Sequence, residues 1–550
     1  MVEQKRKTRA SKSKETQKSK MVQGVFWLSA GNIISRILGA IYVIPWYAWM
    51  GKNAQVANGL FGMGYNVYAL FLLISTSGIP AVIAKQIAHY NSLGKFEMSD
   101  RIFKSAIKTM LIFGVVCASF MFFGASVLAN LTGGGQELIP VMKSLAAAIL
   151  LFPVMSVIRG YFQAHNNMMP YALSQIVEQI ARVFWMLLTV FIIMKVQQGD
   201  YVQAVVQSTF AAFIGMLGSM AVLLWFMKNY KVNFKKEHDQ SLKKVKSHSL
   251  VIAIVKESIP FVISGSGIQI LKLIDTWTFI RMMKAVTHDS TRHLKALFSL
   301  LSTNPDKLTM ITIGIAIAIS LTGLPLITEN HTLKNFRKLA TLVSNNFQLF
   351  LFIMLPTTLG MVILAHPLNT IFYGGKDALG VSLLAWSSWQ SLLLAAFMLT
   401  VGVLQGLGLS KLATIYLATG MAIKLVIQFP MIVLFKVYGP LVSTTIAVSL
   451  MVYLNFRKIH LETHVNVQKL LRRGLLLCLL TFIMSIATLV LRNILYLFLD
   501  SEQRISALII VLIAAVGSGL IYLLLTLKTT IADRLLGERV KTIRQKIPFI

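Results

Sequence analysis

The sequence predicts an all-α integral membrane protein of about 14 transmembrane helices, arranged as two six-helix lobes related by a parallel repeat plus two extra C-terminal helices. Three observations lead to this fold class. The 550 residues are 56% hydrophobic and only 13% charged, whereas a soluble domain carries about 25% charged residues to keep its surface hydrated. The apolar residues fall in runs of about twenty, the length that a helix needs to cross hydrocarbon. Similar segments also recur in the two halves of the chain.

Apolar runs bounded by charges, Pro or Gly give fourteen candidate spans. Their approximate limits are 22–50, 58–84, 105–130, 138–160, 170–195, 203–227, 251–281, 308–328, 340–365, 379–405, 412–436, 438–456, 474–499 and 505–527. The predicted domains are a disordered basic tail (1–20), an N-terminal six-helix lobe (21–230), a basic linker (231–250), a C-terminal six-helix lobe (251–457), helices 13 and 14 (458–528) and a second basic tail (529–550).

The formal net charge of +33 follows this topology. With the N-terminus in the cytoplasm, about 36 of the 53 Lys and Arg fall in the tails and cytoplasmic loops, as expected because short cytoplasmic loops retain basic residues. Both termini are therefore predicted to be cytoplasmic in a multi-pass protein of the cell membrane, with basic clusters against anionic inner-leaflet lipids. A nucleic-acid partner is not needed to explain the charge. One predicted external loop, 282–307, is anomalous because it still carries four basic residues.

Three segments of the first half resemble three segments of the second half in the same order. GNIISR at 31–36 resembles GIQILK at 267–272, STSGIP at 75–80 resembles SLTGLP at 320–325, and QAHNNMMPYA from Gln163 resembles QGLGLSKLAT from Gln405. The last register pairs Arg182 with Lys424. Each offset covers six crossings, an even number, so both halves are expected to have the same orientation in the membrane. A duplicated bundle of two lobes with a cleft between them is typical of alternating-access transporters.

Ionisable residues lie inside the predicted spans, where they are costly and usually functional. Glu178 precedes Arg182 by four residues, and Asp275 follows Lys272 by three. Each acid is therefore either a counter-charge on its own helix or an ion-coupling site. Cations outnumber acids in the spans, which favours an anionic substrate whose phosphates are bound by Arg and Lys. The predicted substrate-binding residues are Arg36, Lys272, Arg182 and Lys424.

The sequence contains no nucleotide or metal motif. GxxxxGK[ST] and HExxH are both absent. Cys117 and Cys478 lie far apart in apolar runs, so neither a disulfide framework nor a thiolate metal site is expected. We therefore expect no cofactor and no enzymatic activity, and the simplest mechanism is transport driven by an ion gradient or the membrane potential.

Three segments, SRILGAIYVIP at 35–45, 60–95 and RGYFQAHNNMMPYALSQIVEQIARV at 159–183, resemble the polysaccharide-transport group of the multidrug/oligosaccharidyl-lipid/polysaccharide exporter superfamily. Within it they are similar to the stage V sporulation protein B and MurJ-like lipid II flippases of Gram-positive bacteria. The resemblance implies a fourteen-helix flippase that carries an undecaprenyl-pyrophosphate-linked saccharide, with lipid II the expected cargo, from the inner to the outer leaflet for peptidoglycan synthesis. It also implies a central cationic cavity containing Arg36 and a lipid-tail groove on helices 13 and 14.

The same resemblance implies motif positions and leaves alternatives open. The RGYFQ and EQxxR elements of the family are matched here, and Pro80, Lys85, Arg159 and Gln163 are expected to be gating or structural residues. The alternatives are a flippase for another lipid-linked polysaccharide precursor, such as one for capsule or teichoic acid, and a MATE-type cation or drug antiporter. The cationic interior disfavours the antiporter. A membrane glycosyltransferase is disfavoured because no large external loop carries acidic residues. Association with cell-wall synthesis or division machinery is compatible with each transport function.

Overall fold

The computed structural model describes residues 34–35, 38–76, 83, 86–87, 90–91, 93–165, 167–229, 259–260, 262–375 and 377–536. Within these ranges every regular element is a helix, and eleven helical stretches are long and apolar enough to cross a membrane. Three of these stretches, Leu38–Leu73, Thr291–Thr332 and Ser410–Thr463, include more than one α-helix. The predicted fold class is confirmed. Contacts divide the chain into two units, Met1–Gln269 and Ile270–Ile550, and the finer domain limits stay predictions.

The first unit is built around one central helix. Its helices are α1 (Val43–Met50), α2 (Ala54–Thr76), α3 (Phe96–Phe123), α4 (Ala125–Thr132), α5 (Leu138–Ala164), α6 (Met169–Phe191) and α7 (Tyr201–Asn229). The sequence of α5 is apolar on nearly every face, which is typical of a helix surrounded by others. It packs against α2, α3 and α7.

The second unit has the same plan with additional helices at its end. Its helices are α8 (Gly267–Thr287), which begins at the boundary, α9 (Thr291–Phe298), α10 (Asn304–Thr332), α11 (Phe336–Ile363), α12 (Ala365–Tyr373), α13 (Ala378–Gly406), α14 (Ser410–Phe435), α15 (Gly439–Thr463), α16 (Val467–Phe498), α17 (Arg504–Lys528) and α18 (Ile531–Leu536). The central helix is α13, which packs against α10, α11 and α15.

The helix order of the first unit recurs about 240 residues later, as a duplication requires. α3 begins at residue 96 and α11 at 336, α5 at 138 and α13 at 378, and α6 at 169 and α14 at 410. Each unit then has a short helix at the corresponding place. In the first unit α4 follows α3, and in the second α12 follows α11. The neighbours of α5 also match the neighbours of α13 one for one. The predicted repeat is therefore confirmed in helix order and packing, and α16 and α17 follow it as the two extra helices.

The predicted external loop 282–307 is wrong, because most of it is helical. α8 runs into this segment, α9 follows, and a π-helical turn (Ser299–Thr303) leads into α10. Ser290 caps α9, since its hydroxyl oxygen accepts a hydrogen bond from the His293 N–H at 3.2 Å. Basic residues interrupt the apolar pattern here, and that is why the helices were not recognised. As a result Asp306 lies in the first turn of α10 and not in a loop.

A proline in α11 helps to fasten the C-terminal helices to the second unit. Pro356 lies inside α11 and has no N–H, so the carbonyl of Phe352 one turn earlier loses its helical partner. The hydroxyl of Tyr522 on α17 donates to that carbonyl oxygen at 2.9 Å. Leu477 and Met484 of α16 join Phe352 and Tyr522 in one buried apolar cluster. The replacement hydrogen bond and this cluster together hold α16 and α17 against α11.

Candidate functional site

Three helices of the first unit meet at Glu178. Arg159 of α5 donates from Nη2 to Glu178 Oε2 at 2.9 Å, and Arg182, one turn after Glu178 on α6, donates from Nη2 to Oε1 at 2.8 Å. Arg159 also donates to the hydroxyls of Ser174 and Ser219, each at 3.0 Å. We call Arg159, Glu178 and Arg182 the Glu178 cluster. The helix-face pair predicted from the spacing of Glu178 and Arg182 is present, and the motif residue Arg159 joins it.

The cluster depends on a close approach of α7 to α6. A Cβ atom on Gly215 would lie 2.6 Å from the Glu178 carbonyl oxygen and 3.1 Å from Arg182 Cβ. Only glycine fits at such a distance, and small residues are what allow membrane helices to approach closely. Ser219 lies one turn beyond Gly215 on α7, so this approach brings its hydroxyl within reach of Arg159.

Two guanidinium groups share one carboxylate in the Glu178 cluster, which leaves an excess positive charge. Arg159 and Glu178 are 7% and 9% exposed. Buried charges persist only when they are paired and hydrogen-bonded. Arg182 Nε and the hydroxyl of the fully buried Tyr68 have no hydrogen-bond partner in the part of the chain that the structure describes. Arg182 Nε can donate, so among the described residues the cluster combines a net positive charge with an unused donor, which is the chemistry that an anion requires.

The second unit holds a different arrangement, centred on Asp275 of α8. Lys424 of α14 places Nζ 2.7 Å from Asp275 Oδ1 and also donates to the hydroxyl oxygen of Thr444 on α15. Gln428, one turn after Lys424, donates from Nε2 to the same Asp275 oxygen at 2.8 Å. We call Asp275, Lys424, Gln428 and Thr444 the Asp275 cluster. Asp275 is therefore paired across helices with Lys424, and not along its own helix with Lys272.

Lys272 has a partner that is not among the predicted site residues. Its Nζ lies 2.7 Å from Asp306 Oδ2, and the two side chains are 14% and 27% exposed. Asp306 was missed because it was placed in the external loop. A signal was available, since Asn304-Pro305-Asp306 puts a proline and an acid in a first helical turn, the usual residues at a helix start.

The structure divides the predicted site residues between the two units. It brings Arg159 and Arg182 together on Glu178 in the first, and it pairs each of the two lysines with its own aspartate in the second. Gln163 is partly buried one turn after Arg159 on α5. Arg36, Pro80 and Lys85 lie outside the described residues. Within the described ranges no group of three or more His, Cys, Asp or Glu side chains is arranged to hold a metal ion.

Gln428, Thr444, Ser174 and Ser219 were not selected from the sequence. Their signal was weak, because single amide and hydroxyl residues are common in membrane helices, where they bond to a carbonyl one turn back. What distinguishes these four is a hydrogen bond to a charged side chain on another helix. Only the packed helices reveal such contacts.

The amino-acid sequence is similar to known proteins over nearly its whole length. The family described as polysaccharide biosynthesis protein matches residues 21–331. The lipid II flippase MurJ of Bacillus subtilis (strain 168) is 32% identical over 535 residues, which cover 95% of this chain and 97% of that protein. The uncharacterized membrane protein YabM of the same strain is 23% identical over 437 residues, 79% of each chain.

Solved structures share the fold. A lipid II flippase MurJ in an inward closed conformation has a TM-score of 0.65 at 15% identity, and the match covers 93% of this chain and 99% of that one. An inward-facing multidrug resistance MATE family transporter of the MOP superfamily has a TM-score of 0.62 at 13% identity, with 80% and 98% covered. At these identities the likeness shows the fold alone.

Proposed function

The chain belongs to the polysaccharide biosynthesis protein family, and its sequence is similar to that of a lipid II flippase over nearly its whole length. We therefore propose that it flips an undecaprenyl-pyrophosphate-linked saccharide, with lipid II as the cargo. The observation that carries this proposal is the 32% identity over 95% of the chain to a protein of that function. The headgroup needs a carrier because its pyrophosphate and sugars would lose their hydration in hydrocarbon. Flipping from the inner to the outer leaflet delivers it for peptidoglycan synthesis.

The charges of the first unit support a pyrophosphate-bearing substrate. The Glu178 cluster retains one excess positive charge and an Arg182 N–H that has no hydrogen-bond partner among the described residues, and guanidinium groups bind phosphate oxygens with well-matched geometry. We assign pyrophosphate binding to Arg36 and Arg182, with Lys272 as a third cation that would have to leave Asp306. We assign the buried Lys424 to Asp275 and not to substrate.

The proposed cycle is alternating access, in which the bound headgroup is exposed first to one side of the membrane and then to the other while the prenyl tail stays in lipid. A membrane potential that is negative inside favours outward movement of an anion by about 2.3 kcal/mol per charge per 100 mV. An ion gradient is the other available driving force. Both termini are placed in the cytoplasm, where the basic tails contact anionic lipids and cell-wall synthesis or division proteins are within reach.

Three acids in the described membrane helices argue against a MATE-type cation or drug antiporter, despite the shared fold. Glu178, Asp275 and Asp306 are each paired with Arg or Lys, whereas an antiporter for organic cations needs carboxylates that are available to its cargo. A flippase for a capsule or teichoic acid precursor would bind its cargo through the same pyrophosphate chemistry. The growth test below distinguishes it from a lipid II flippase.

The test is growth of a strain in which the endogenous lipid II flippase is depleted. Expression of this chain should restore growth, and Arg36→Ala should abolish the rescue at unchanged abundance in the membrane. Lys104→Ala is the control, because that side chain is 75% exposed and should support growth like the parent. Failure of the parent chain to rescue would overturn the lipid II function, and full rescue by the Arg36 variant would overturn the role of that arginine.

A further inference from the structure

Lys424 is a charged side chain with no exposed surface, 0% by area. It lies near the middle of α14, fourteen residues after the start at Ser410 and eleven before the end at Phe435. A lysine near the end of a membrane helix extends its ammonium to the interface, but one at the centre cannot reach it. An unpaired ammonium there is costly, so its contacts inside the second unit determine whether the helix is stable.

Those contacts are two oxygen atoms on neighbouring helices. The ammonium is held by a carboxylate oxygen of Asp275 and by the hydroxyl oxygen of Thr444. Oxygen ligands of this kind, one charged and one neutral, are those that a small monovalent cation takes up when it leaves water. The three helices α8, α14 and α15 each contribute one side chain, so these contacts exist only when the helices are packed together.

Further hydrogen bonds hold the Asp275 carboxylate in position. Gln428, which is 0% exposed, donates from Nε2 to Asp275 Oδ1 at 2.8 Å and to Thr278 Oγ1 at 3.3 Å. Its own Oε1 accepts a hydrogen bond from the hydroxyl of Ser443, which is also fully buried. Asp275 is thus fixed by groups other than Lys424 and would keep its position if the lysine side chain were removed.

The first unit treats its buried charge differently. There one carboxylate pairs with two guanidinium groups, so one positive charge of the cluster is not neutralised. In the Asp275 cluster one ammonium matches one carboxylate; the Lys424 side chain has no exposed surface, and the Asp275 side chain is 17% exposed. An ion pair with this geometry has no charge to spare for an anionic substrate.

We propose that the Lys424 ammonium is a built-in cation, which fills a monovalent-cation site formed by Asp275 and Thr444. The protein then carries this positive charge on its own chain, and we expect that flipping by the parent protein does not depend on free sodium or potassium. Removal of the side chain beyond Cβ opens the site to a small primary ammonium ion. The coupling part of this proposal rests on the proposed flippase function, whereas the site itself does not.

The site is tested by binding to purified Lys424→Ala, with methylammonium chloride as the probe and tetramethylammonium chloride as the control. Methylammonium replaces the lost –CH2–NH3+ end and donates hydrogen bonds, whereas tetramethylammonium has the same charge and no donor. Ligand that binds only the folded protein raises its thermal stability. Methylammonium should raise the midpoint of Lys424→Ala by several degrees, and tetramethylammonium should leave it unchanged. No shift with methylammonium, or an equal shift with both salts, would overturn the site.

Two further proteins complete the binding experiment. The parent should not respond to either salt, because its site is occupied. Asp275→Asn/Lys424→Ala should not respond either, because the carboxylate is gone. A response of the double variant equal to that of Lys424→Ala would overturn the assignment of Asp275 as the ligand. This arm uses no lipid substrate, so it remains readable if the proposed flippase function fails.

A shape-matched pair without charge separates coupling from simple neutralisation. Asp275→Asn/Lys424→Met should fold at least as well as the parent, since a buried ion pair is often replaced by neutral residues without loss of stability, and this variant also covers the case in which Lys424→Ala does not fold. In vesicles containing a fluorescent lipid-linked saccharide we expect it to flip at less than a tenth of the parent rate. Flipping at the parent rate would show that the pair only neutralises charge and would overturn the coupling proposal.

The same vesicles test the dependence on free cations. The parent should flip at the same rate when sodium and potassium salts are replaced by choline chloride, and methylammonium should restore flipping to Lys424→Ala. Loss of parent activity in choline alone would overturn the built-in cation. Inactivity of the parent in every buffer would count against the flippase function and not against the site.

Discussion

Replacement of Glu178 by glutamine tests whether the Glu178 cluster is held together by charge. The two side chains have nearly the same shape, but glutamine removes the negative charge and places an amide donor against a guanidinium donor. Arg159 is 7% exposed and Glu178 9%, so their pair counts as buried, and breaking a buried pair by removing one partner costs about 3–5 kcal/mol. The Arg182 side chain is 15% exposed, and its share is therefore expected to be the smaller one.

The measurement is the free energy of unfolding in mixed micelles titrated with dodecyl sulfate. Asp100→Asn is the matched control, because Lys104 and Asp100 form an i,i+4 pair at 2.7 Å with side chains that are 75% and 36% exposed. Such an exposed pair contributes at most about 1 kcal/mol. Glu178→Gln should therefore lose at least about 2 kcal/mol more than the control. Equal losses in the two variants would show that Glu178 is not a buried counter-charge of the two arginines.

Three further outcomes follow from the packing. Gly215→Val should destabilise the protein by about 1–3 kcal/mol in the same titration, because backbone blocks the added atoms, whereas Gly519→Val should be near neutral because no atom lies within 4 Å of its Cβ position. Tyr522→Phe should cost about 1–3 kcal/mol by orphaning a buried carbonyl, and an unchanged unfolding energy would show that another group serves that oxygen. Lys272→Asp should lower abundance in the membrane by immunoblot, and Lys272→Asp/Asp306→Lys should restore it. A swap no better than the single variant would exclude the pair as the cause.

The spans and the repeat could be predicted from the sequence because both rest on periodic, local signals. Apolar runs of the length needed to cross the bilayer mark most of the spans, and a duplication leaves similar residues at nearly constant offsets. The failure at 282–307 has the same origin. Helices there carry basic side chains, and a pattern that depends on unbroken apolarity does not register them.

The site could be predicted only where its partners are close in sequence. Glu178 and Arg182 are one turn apart on α6, so their contact follows from helix geometry. Asp275 and Gln428 are 153 residues apart, and nothing in either segment specifies the other. The repeat register pairs Arg182 with Lys424. It does not show that the acid of Arg182, Glu178, is on the same helix, whereas the acid of Lys424, Asp275, is on a different helix.

This difference between the units has a consequence for transport. The repeat places a basic residue at matching positions in α6 and α14. Arg182 in α6 shares its carboxylate with Arg159, whereas Lys424 in α14 has the Asp275 carboxylate as its own partner. The first arrangement suits an anion that comes and goes. The second suits a cation that stays, and in our proposal the two tasks of substrate binding and ion coupling are divided in this way.

The most direct test of the account is the amount of lipid II headgroup accessible at the outer leaflet of cells in which this chain is the only flippase supplied. We expect the accessible headgroup to return to its normal level with the parent chain and to stay at the depleted level with Arg36→Ala at equal membrane abundance. A parent chain present in the membrane at normal abundance that leaves the headgroup at the inner leaflet would contradict it.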